Sequence, residues 1–474
     1  MAGKKTTFAI FLGNRGFFPS SLMDEAREEV PRVLKEWGHE TIMLDREATR
    51  FGAVETPREG EIYANFLREN RGKFGGVILC LPNFGDETGA VAALKDADVP
   101  ILVQAYPDDL DKMAVKYRRD AFCGKFSVMD VFCQYGLKFT ALKPHTVKPS
   151  SERFGVNVDY FDRVCRVVNG VRDMVVGAIG ARTTAFKTVR ADEIALQRNR
   201  ITVETLDLSE VFGRVKALSI RNAACKEKAA FLRDYASWRG VPDKAFSALV
   251  RLGVVLDGII EEYKMDAVAL RCWLEMQTQL GISPCVLLSA LNDRGMAAAC
   301  EVDVGNAVTM HALGLASDGV AACLDWNNNY GEEDDKCILF HCGPVPASMM
   351  AGRGRITDHG ILGTSIGKGH GYGCNVGRIA PQDFTLGSMV TDAGKLRFYL
   401  GEGDFTDDPV PKEFFGCPGV AHIPGLQDVL LHVGKNGFRH HVSAAQGLVL
   451  APVREALAEY LGFDVAVPQE AKTC

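Results

Sequence analysis

Three changes of pattern along the chain predict two successive α/β domains with parallel sheets, then a mainly antiparallel β domain. Between residues 6 and 145 short apolar runs alternate with amphipathic stretches, and the alternation returns between 174 and 330. From 335 helical periodicity fades, and glycine and short apolar runs take over. A chain of 474 residues is too long for one core, and the expected boundaries are 1–150, 151–333 and 334–474.

In the first segment TFAIFLG, ETIMLD, GGVILCLP and VPILVQA read as strands. Helices are expected near Leu22–Trp37, Gly60–Asn70 and Thr88–Leu94, giving a doubly wound parallel sheet. No GxGxxG follows the first strand, so a dinucleotide fingerprint is missing. The loops after the strands are Gly13-Asn14-Arg15-Gly16 and the stretch from Pro82 to Glu87. Loops at this edge carry function in such sheets. Arg15 and Asn83 are therefore candidates for binding hydroxyls or an anionic group. Around 145–172 the pattern loosens, and the run PHTVKPSSERFGVN, which begins at Pro144, holds two prolines and several polar residues and reads as a linker.

The second segment offers strands at Met174–Ala181, Ile201–Leu206 and Ala267–Cys272. Helices are expected at Ala224–Ala236, Lys244–Tyr263 and Ile282–Leu291. Its last part, Ala297–Tyr330, has two apolar runs, each ending in a carboxylate: Glu301 and Asp325. Between them Val304–Leu315 reads as a helix capped by Asp303. Strand, helix, strand predicts a parallel pair with both acids at the carboxyl ends of neighbouring strands. One such acid is more often a helix cap. Two at matching ends can share a divalent cation or pass a proton. In the β-rich segment, Gly367–Gly373 (GKGHGYG) lacks the strand–loop–helix context of a phosphate loop and reads as a turn. A last helix is expected at Leu448–Leu461.

Composition excludes several function classes. A net charge of −6 and a pI near 6.0 argue against nucleic-acid binding. No apolar run is long enough to cross a membrane. Lysines precede the apolar run Phe8–Leu12, but that run is too short for a signal peptide and reads as a first strand. Fourteen cysteines without a single CxxC suggest reduced thiols in a cytoplasmic protein.

Glu301, Asp325, His341 and the pair His440–His441 read as parts of one site. Adjacent histidines on a strand face opposite ways, so one can reach a metal while its neighbour braces the structure or meets a ligand. Carboxylates with imidazoles suit Mn²⁺ or Co²⁺; Mg²⁺ is less favoured because it prefers oxygen ligands and retained water.

The phrases GAIGARTTAF, ETLDLSE, LRCWLEM, ACEVDVGNAVTM, CLDWNNN, FHCG and RHHVSAAQG resemble the L-fucose isomerase and L-arabinose isomerase superfamily, closest to its shorter L-fucose-isomerase-like branch. The likeness is strongest over 174–343. It implies two Rossmann-like α/β domains followed by a C-terminal β-barrel. It also implies an Mn²⁺-dependent aldose–ketose isomerase. Glu301, Asp325 and His441 would then hold the metal, with His440 the alternative to His441. Glu301 and Asp325 would also move the proton. His341 resembles the extra histidine of L-arabinose isomerases. Trp273 is a candidate to pack on a sugar's apolar face, or equally a buried interdomain aromatic. The resemblance further implies a homohexamer or trimer-based homo-oligomer, in which Arg15 and Asn83 would complete a neighbour's pocket. The sugar stays open among fucose, arabinose and modified hexoses such as sulfoquinovose. Two rival readings are a metal-dependent hydrolase using the same residues and a non-catalytic sugar-binding protein.

Overall fold

The computed structural model describes residues 5–19, 21–317 and 319–470. Lys4, in the lysine run ahead of the first strand, lies outside them. One compact unit runs to Asn169 and takes in Glu459–Leu461. The other takes in Gly170–Ala458 and the chain from Gly462.

In the first unit β1 (Phe8–Leu12), β2 (Thr41–Met43), β3 (Gly76–Leu81) and β4 (Ile101–Ala105) form a parallel sheet in the order β2-β1-β3-β4. Every residue of β1, β3 and β4 is buried, as expected when helices cover both faces. Alternate residues feed separate cores. Phe8, Ile10, Ile78 and Leu102 pack with the helix Ser21–Glu36. Ala9, Phe11, Val77 and Val103 pack with the helices Pro57–Glu69 and Ala121–Gln134.

Residues 145–172 correct the linker expectation. Most of the stretch is one 20-residue helix, Glu152–Val171. Phe154, Val158, Phe161 and Cys165 recur at helical spacing and join the β1 core. The Ser151 hydroxyl caps the helix by accepting from the Phe154 N–H at 3.3 Å. The prolines that signalled a linker lie ahead of this cap.

In the second unit β5 (Val175–Ile179), β6 (Thr202–Leu206), β7 (Ala267–Leu270) and β8 (Ala297–Cys300) form another parallel sheet, ordered β6-β5-β7-β8. The helix Val304–Ser317 follows β8, and Asp303 caps it as the sequence predicts. The next strand, β9 (Ala321–Asn329), does not return to that sheet. It pairs antiparallel with β10 (Lys336–His341) and with β16 (His441–Gln446), so the expected parallel pair is absent. The physical reason lies in the connection. Only residues 330–335 separate β9 from β10. So short a link makes β9 and β10 an antiparallel pair, and with β10 on one edge and β16 on the other β9 has no edge left for β8.

A small ribbon pairs β11 (Arg355–Thr357) with β12 (Cys374–Val376). The glycine-rich run between them is a turn, with Asp358 accepting from the Gly369 and Gly371 N–H groups. The remaining strands are β13 (Gln382–Asp392), β14 (Lys395–Phe405), β15 (Cys417–His422) and β17 (Asp464–Ala466). The seven-stranded mixed sheet runs β13-β16-β9-β10-β15-β14-β17, and β13 also pairs with β14. The last predicted helix is a short α segment, Leu450–Arg454, widening into a π turn over Glu455–Tyr460. Among the described residues no helix is long and apolar enough to cross a membrane.

Candidate active site

Strand register sets the first two groups. Asp325 on β9 lies directly opposite His441 on β16 and, on its other side, opposite Phe340 on β10, whose next residue is His341. Asp325 Oδ1 is 3.4 Å from His441 Nε2 and 3.7 Å from His440 Nε2. Glu301 arrives from the parallel sheet, at the end of β8. Its Oε2 lies 2.9 Å from His441 Nε2. Glu301 and Val302 both adopt left-handed backbone, at φ 63° and 59°. Such residues cost about 1–3 kcal/mol each and mark sites where surrounding structure over-determines the backbone.

His441 is oriented from behind. Its Nδ1 lies 2.8 Å from Asp303 Oδ2, so that N–H donates to the carboxylate and Nε2 faces Glu301 and Asp325. Asp303 is fully buried and saturated. It also accepts from the Asn306 backbone N–H at 3.0 Å, from the Asn306 side-chain amide at 2.7 Å, and from the Arg439 guanidinium. A buried carboxylate holding the far nitrogen of an imidazole is the usual support of a metal-binding histidine.

Three atoms here are buried without a hydrogen-bond partner among the described residues: His441 Nε2, His341 Nε2 and Asp325 Oδ1. The close Glu301–His441 approach is thus an ionic contact without hydrogen-bond alignment. Ligand atoms of Glu301, His341 and His441 lie within 4.8 Å of one another, and so do those of Asp325, His440 and His441. Two oxygens and one or two imidazoles, from Glu301, Asp325, His441 and His440, fit a borderline-hard divalent ion such as Mn²⁺ or Co²⁺. A third group, Asp303, Cys323 and His441, is equally compact, but the Asp303 oxygens are already taken.

Electrostatics agree with that geometry. Burial pushes the Glu301 carboxyl up, but His441, then His341 and the Trp273 N–H, outweigh it and bring it down to about 2. Burial also opposes ionisation of Asp303, while Arg439 and His441 hold it well below the usual carboxylate range. Burial disfavours a charged His441, yet Cys323, Asp303 and Glu301 raise it well above an ordinary imidazole. A cation at Nε2 would displace that proton.

Trp273 sits in this site, where its indole N–H donates to Glu301 Oε1 at 2.7 Å. The Phe186 ring stands edge-on to Trp273 and His440, with centroids 5.9 and 5.3 Å away, and tilted against His441 at 5.7 Å. Arg182 braces the Phe186 loop by donating to the carbonyls of Thr183 and Phe186, both at 3.1 Å. His341 Nδ1 accepts the Cys342 N–H at 2.9 Å, leaving its Nε2 free.

The structure thus brings together Glu301, Asp325, His341, His440, His441 and Trp273. Arg15 and Asn83 lie in the other unit. There the Arg15 N–H donates to Asn83 Oδ1 at 3.1 Å, and its guanidinium is held by the Gly85 carbonyl and by Glu87. Sequence reasoning missed Phe186, Arg439 and the second task of Asp303. For Arg439 a signal existed: it lies two residues before His441, where an extended chain points both side chains the same way.

Residues 9–172 match the family described as fucose/sulfoquinovose isomerase, N-terminal domain, and residues 339–468 match L-fucose isomerase, C-terminal domain. The stretch holding Glu301 and Asp325 lies between the two matches. The chain is 25% identical over 298 residues to a sulfoquinovose isomerase of Priestia aryabhattai, covering 62% of this chain and 64% of that protein. It is 25% identical to one from Alkalicoccus urumqiensis, over 62% of this chain and 65% of the relative. A third, from Clostridium sp. (strain MSTE9), is 26% identical over 67% of this chain and 70% of its own length. The matched stretch therefore spans less than two thirds of the first two of these relatives.

Proposed function

We propose, from the premise that the chain belongs to the fucose and sulfoquinovose isomerase family, that it is a metal-dependent aldose–ketose isomerase acting through a cis-enediol. The observation that carries this reading is the convergence of Glu301, Asp325, His341 and His441 on unpartnered atoms, beside a histidine locked by Asp303. Glu301, Asp325 and His441 would hold the ion, Mn²⁺ or Co²⁺, while His341, whose Nδ1 accepts the Cys342 N–H, would offer its Nε2–H to a substrate oxygen. Such an ion would polarise the sugar carbonyl and acidify the neighbouring hydroxyl.

The residues of the chain do the rest. One of Glu301 and Asp325 takes the proton from C2 of the open-chain aldose while the carbonyl oxygen O1 gains one, giving the enediol. A proton then returns to C1 as the C2 hydroxyl loses its own. Trp273 fixes the Glu301 carboxylate through one oxygen and leaves the other toward His441. Phe186 covers the two histidines and excludes water from their faces. Asp303 and Arg439 keep His441 in the tautomer that offers Nε2. His440, half-exposed beside Asp325, contacts substrate.

The six strands β13-β16-β9-β10-β15-β14, closed by the β14–β13 pairing, read as the barrel that carries the histidines. The relatives' name favours a sulfonated hexose as substrate. The chain assembles as a trimer-based homo-oligomer or hexamer in which the Arg15 loop reaches a neighbour's sugar; Asn83 is fully buried, its amide bonded to Asn14 and to the Arg15 and Gly85 N–H groups, and supports that loop instead of touching sugar. Mixing an Arg15→Ala chain with a Glu301→Gln chain then restores part of the activity, and an active monomer by light scattering would refute the shared pocket.

The central test is chelation followed by add-back. Protein stripped of metal is expected to be inactive on a panel of neutral and sulfonated aldoses, with ketose followed by NMR. Mn²⁺ or Co²⁺ restores turnover. Full activity in protein shown to be metal-free by mass spectrometry would overturn the reading.

A further inference from the structure

We infer that the cleft between the loop Lys187–Asp192 and the turn Gly437–Arg439 is the subsite for an anionic substituent of the sugar, a sulfonate or a phosphate. The inference rests on the isomerase reading of the adjoining site.

The cleft has a volume of about 430 Å³, and its lining includes Lys187, Thr188, Arg190, Thr391, Gly437 and Arg439. Both of its walls lead into the candidate active site. Phe186, which packs on His440 and His441, is the residue before Lys187. On the opposite wall Gly437, Phe438 and Arg439 run directly into His440 and His441. A sugar held by O1 and O2 beside Glu301 and Asp325 has its far carbon several bonds away, and an anionic substituent on that carbon is what the cleft would take.

The charge is also placed for an anion. No ion pair joins Lys187 or Arg190 to a carboxylate among the described residues, whereas Arg15, Arg214 and Arg397 are each paired. Arg190 Nε donates to the Lys187 carbonyl at 3.1 Å, which leaves the rest of its guanidinium and the Lys187 ammonium on the cleft wall without a carboxylate partner among the described residues. The one acid on the wall, Asp192, spends Oδ1 on the Ile194 and Ala195 N–H groups at the start of the next helix. Beneath them Arg439 is buried, paired with Asp303 through Nη1, and its Nε has no partner among the described residues. An ammonium, a guanidinium and the Thr188 hydroxyl supply the donors that three oxygens of a tetrahedral anion accept, in charge-assisted bonds. Arg15, the candidate that sequence alone offered for this task, has its guanidinium committed to Glu87 and the Gly85 carbonyl.

The test is the double variant Lys187→Gln/Arg190→Gln, compared with wild type on sulfoquinovose, glucose 6-phosphate and neutral L-fucose. The ratio of kcat/KM for the preferred anionic sugar over the neutral one is expected to fall at least about tenfold, mainly through KM, as loss of hydrogen bonds to a charged group implies. The Mn²⁺ affinity by calorimetry stays with wild type. The wild-type preference between sulfonate and phosphate identifies the anion. A ratio that does not change overturns the proposal. If wild type turns over no aldose, the isomerase reading fails, and the cleft is read directly with methanesulfonate and inorganic phosphate as calorimetric probes. Binding to wild type that the double variant loses upholds an anion site, and no binding to wild type overturns it.

Discussion

His441 is held on both sides, and each side makes a prediction. Toward the substrate, Glu301→Gln and Asp325→Asn keep the side-chain shapes but remove charge and basicity. Losing one proton-transfer group costs about 10²–10⁴ in rate, and weaker metal binding adds to it. Steady-state kinetics with saturating Mn²⁺ check this, and near-normal kcat in either variant would take that residue out of the mechanism. Behind the ring, Asp303→Asn should raise the Mn²⁺ Kd by about 10–100-fold in calorimetry, the usual cost of losing an imidazole's supporting carboxylate. It should also destabilise the fold by about 3–5 kcal/mol, because Arg439 is left as a buried unpaired charge. An unchanged Kd would reduce Asp303 to a helix cap. At this scale the cluster was legible in its acids, Glu301 and Asp325, which end apolar runs. The histidine pair was expected to face opposite ways, but His440 lies just before β16 and both imidazoles approach Asp325 Oδ1. The bond from Asp303 to His441 was not legible, since it joins residues 138 positions apart and no local spacing announces it.

The helix Val304–Ser317 positions Asp303, and its first turn packs without room. A Cβ on Gly305 would come within 2.4 Å of the Met389 carbonyl oxygen and 2.7 Å of Arg439 Nη1. Replacing a helical glycine by alanine normally gains up to about 1 kcal/mol. Here a backbone oxygen blocks the methyl, and overpacking costs about 1–3 kcal/mol, so the sign reverses. Gly305→Ala is expected to lower the urea midpoint and weaken Mn²⁺ binding together, as the helix shifts off Arg439. A variant as stable as wild type, with unchanged affinity, would show that β13 yields freely. Elements were read well where one period dominates. The strands around β1 and β3 and the helix Asp243–Glu262 came from their apolar repeats. The helix Glu152–Val171 was lost to the prolines and serines ahead of it, although Phe154, Val158, Phe161 and Cys165 already carried the period. The partner of β9 was misread because periodicity gives a strand's faces but not its neighbours. The six residues before β10 were the better guide.

For the whole molecule, the succession of two parallel α/β sheets and then a β-rich region was legible from pattern alone. The pairings of β16 with β13 and β9 were not, because those strands lie far apart in sequence, whereas β13 and β14 form a hairpin across Ala393-Gly394. Each compact unit carries a histidine, buried in the first and partly buried in the second, that makes its stability depend on acid. In the first, His39 lies against the Thr6 carbonyl at 2.9 Å; burial lowers its pKa below the ordinary 6.5, outweighing the Thr6 bond and Asp162. In the second, His311 faces the Gly170 carbonyl at 3.1 Å; burial lowers it likewise, against Asp266 and that carbonyl. A folded pKa below the unfolded one means that the unfolded chain binds more protons as pH falls through about 6.5. The stability these groups contribute is therefore fully present above pH about 6.5 and is lost progressively toward the lower folded value. Urea unfolding of protein kept free of metal, so that proton release at the metal site does not intrude, should show a lower midpoint at pH 5.5 than at pH 7.5. His39→Gln and His311→Gln should each flatten part of that difference, since a neutral amide has no proton to gain. Because the two histidines belong to different units, His39→Gln reports acid sensitivity in one and His311→Gln in the other. If both variants keep the full wild-type loss between these pH values, neither imidazole is the group that acid finds.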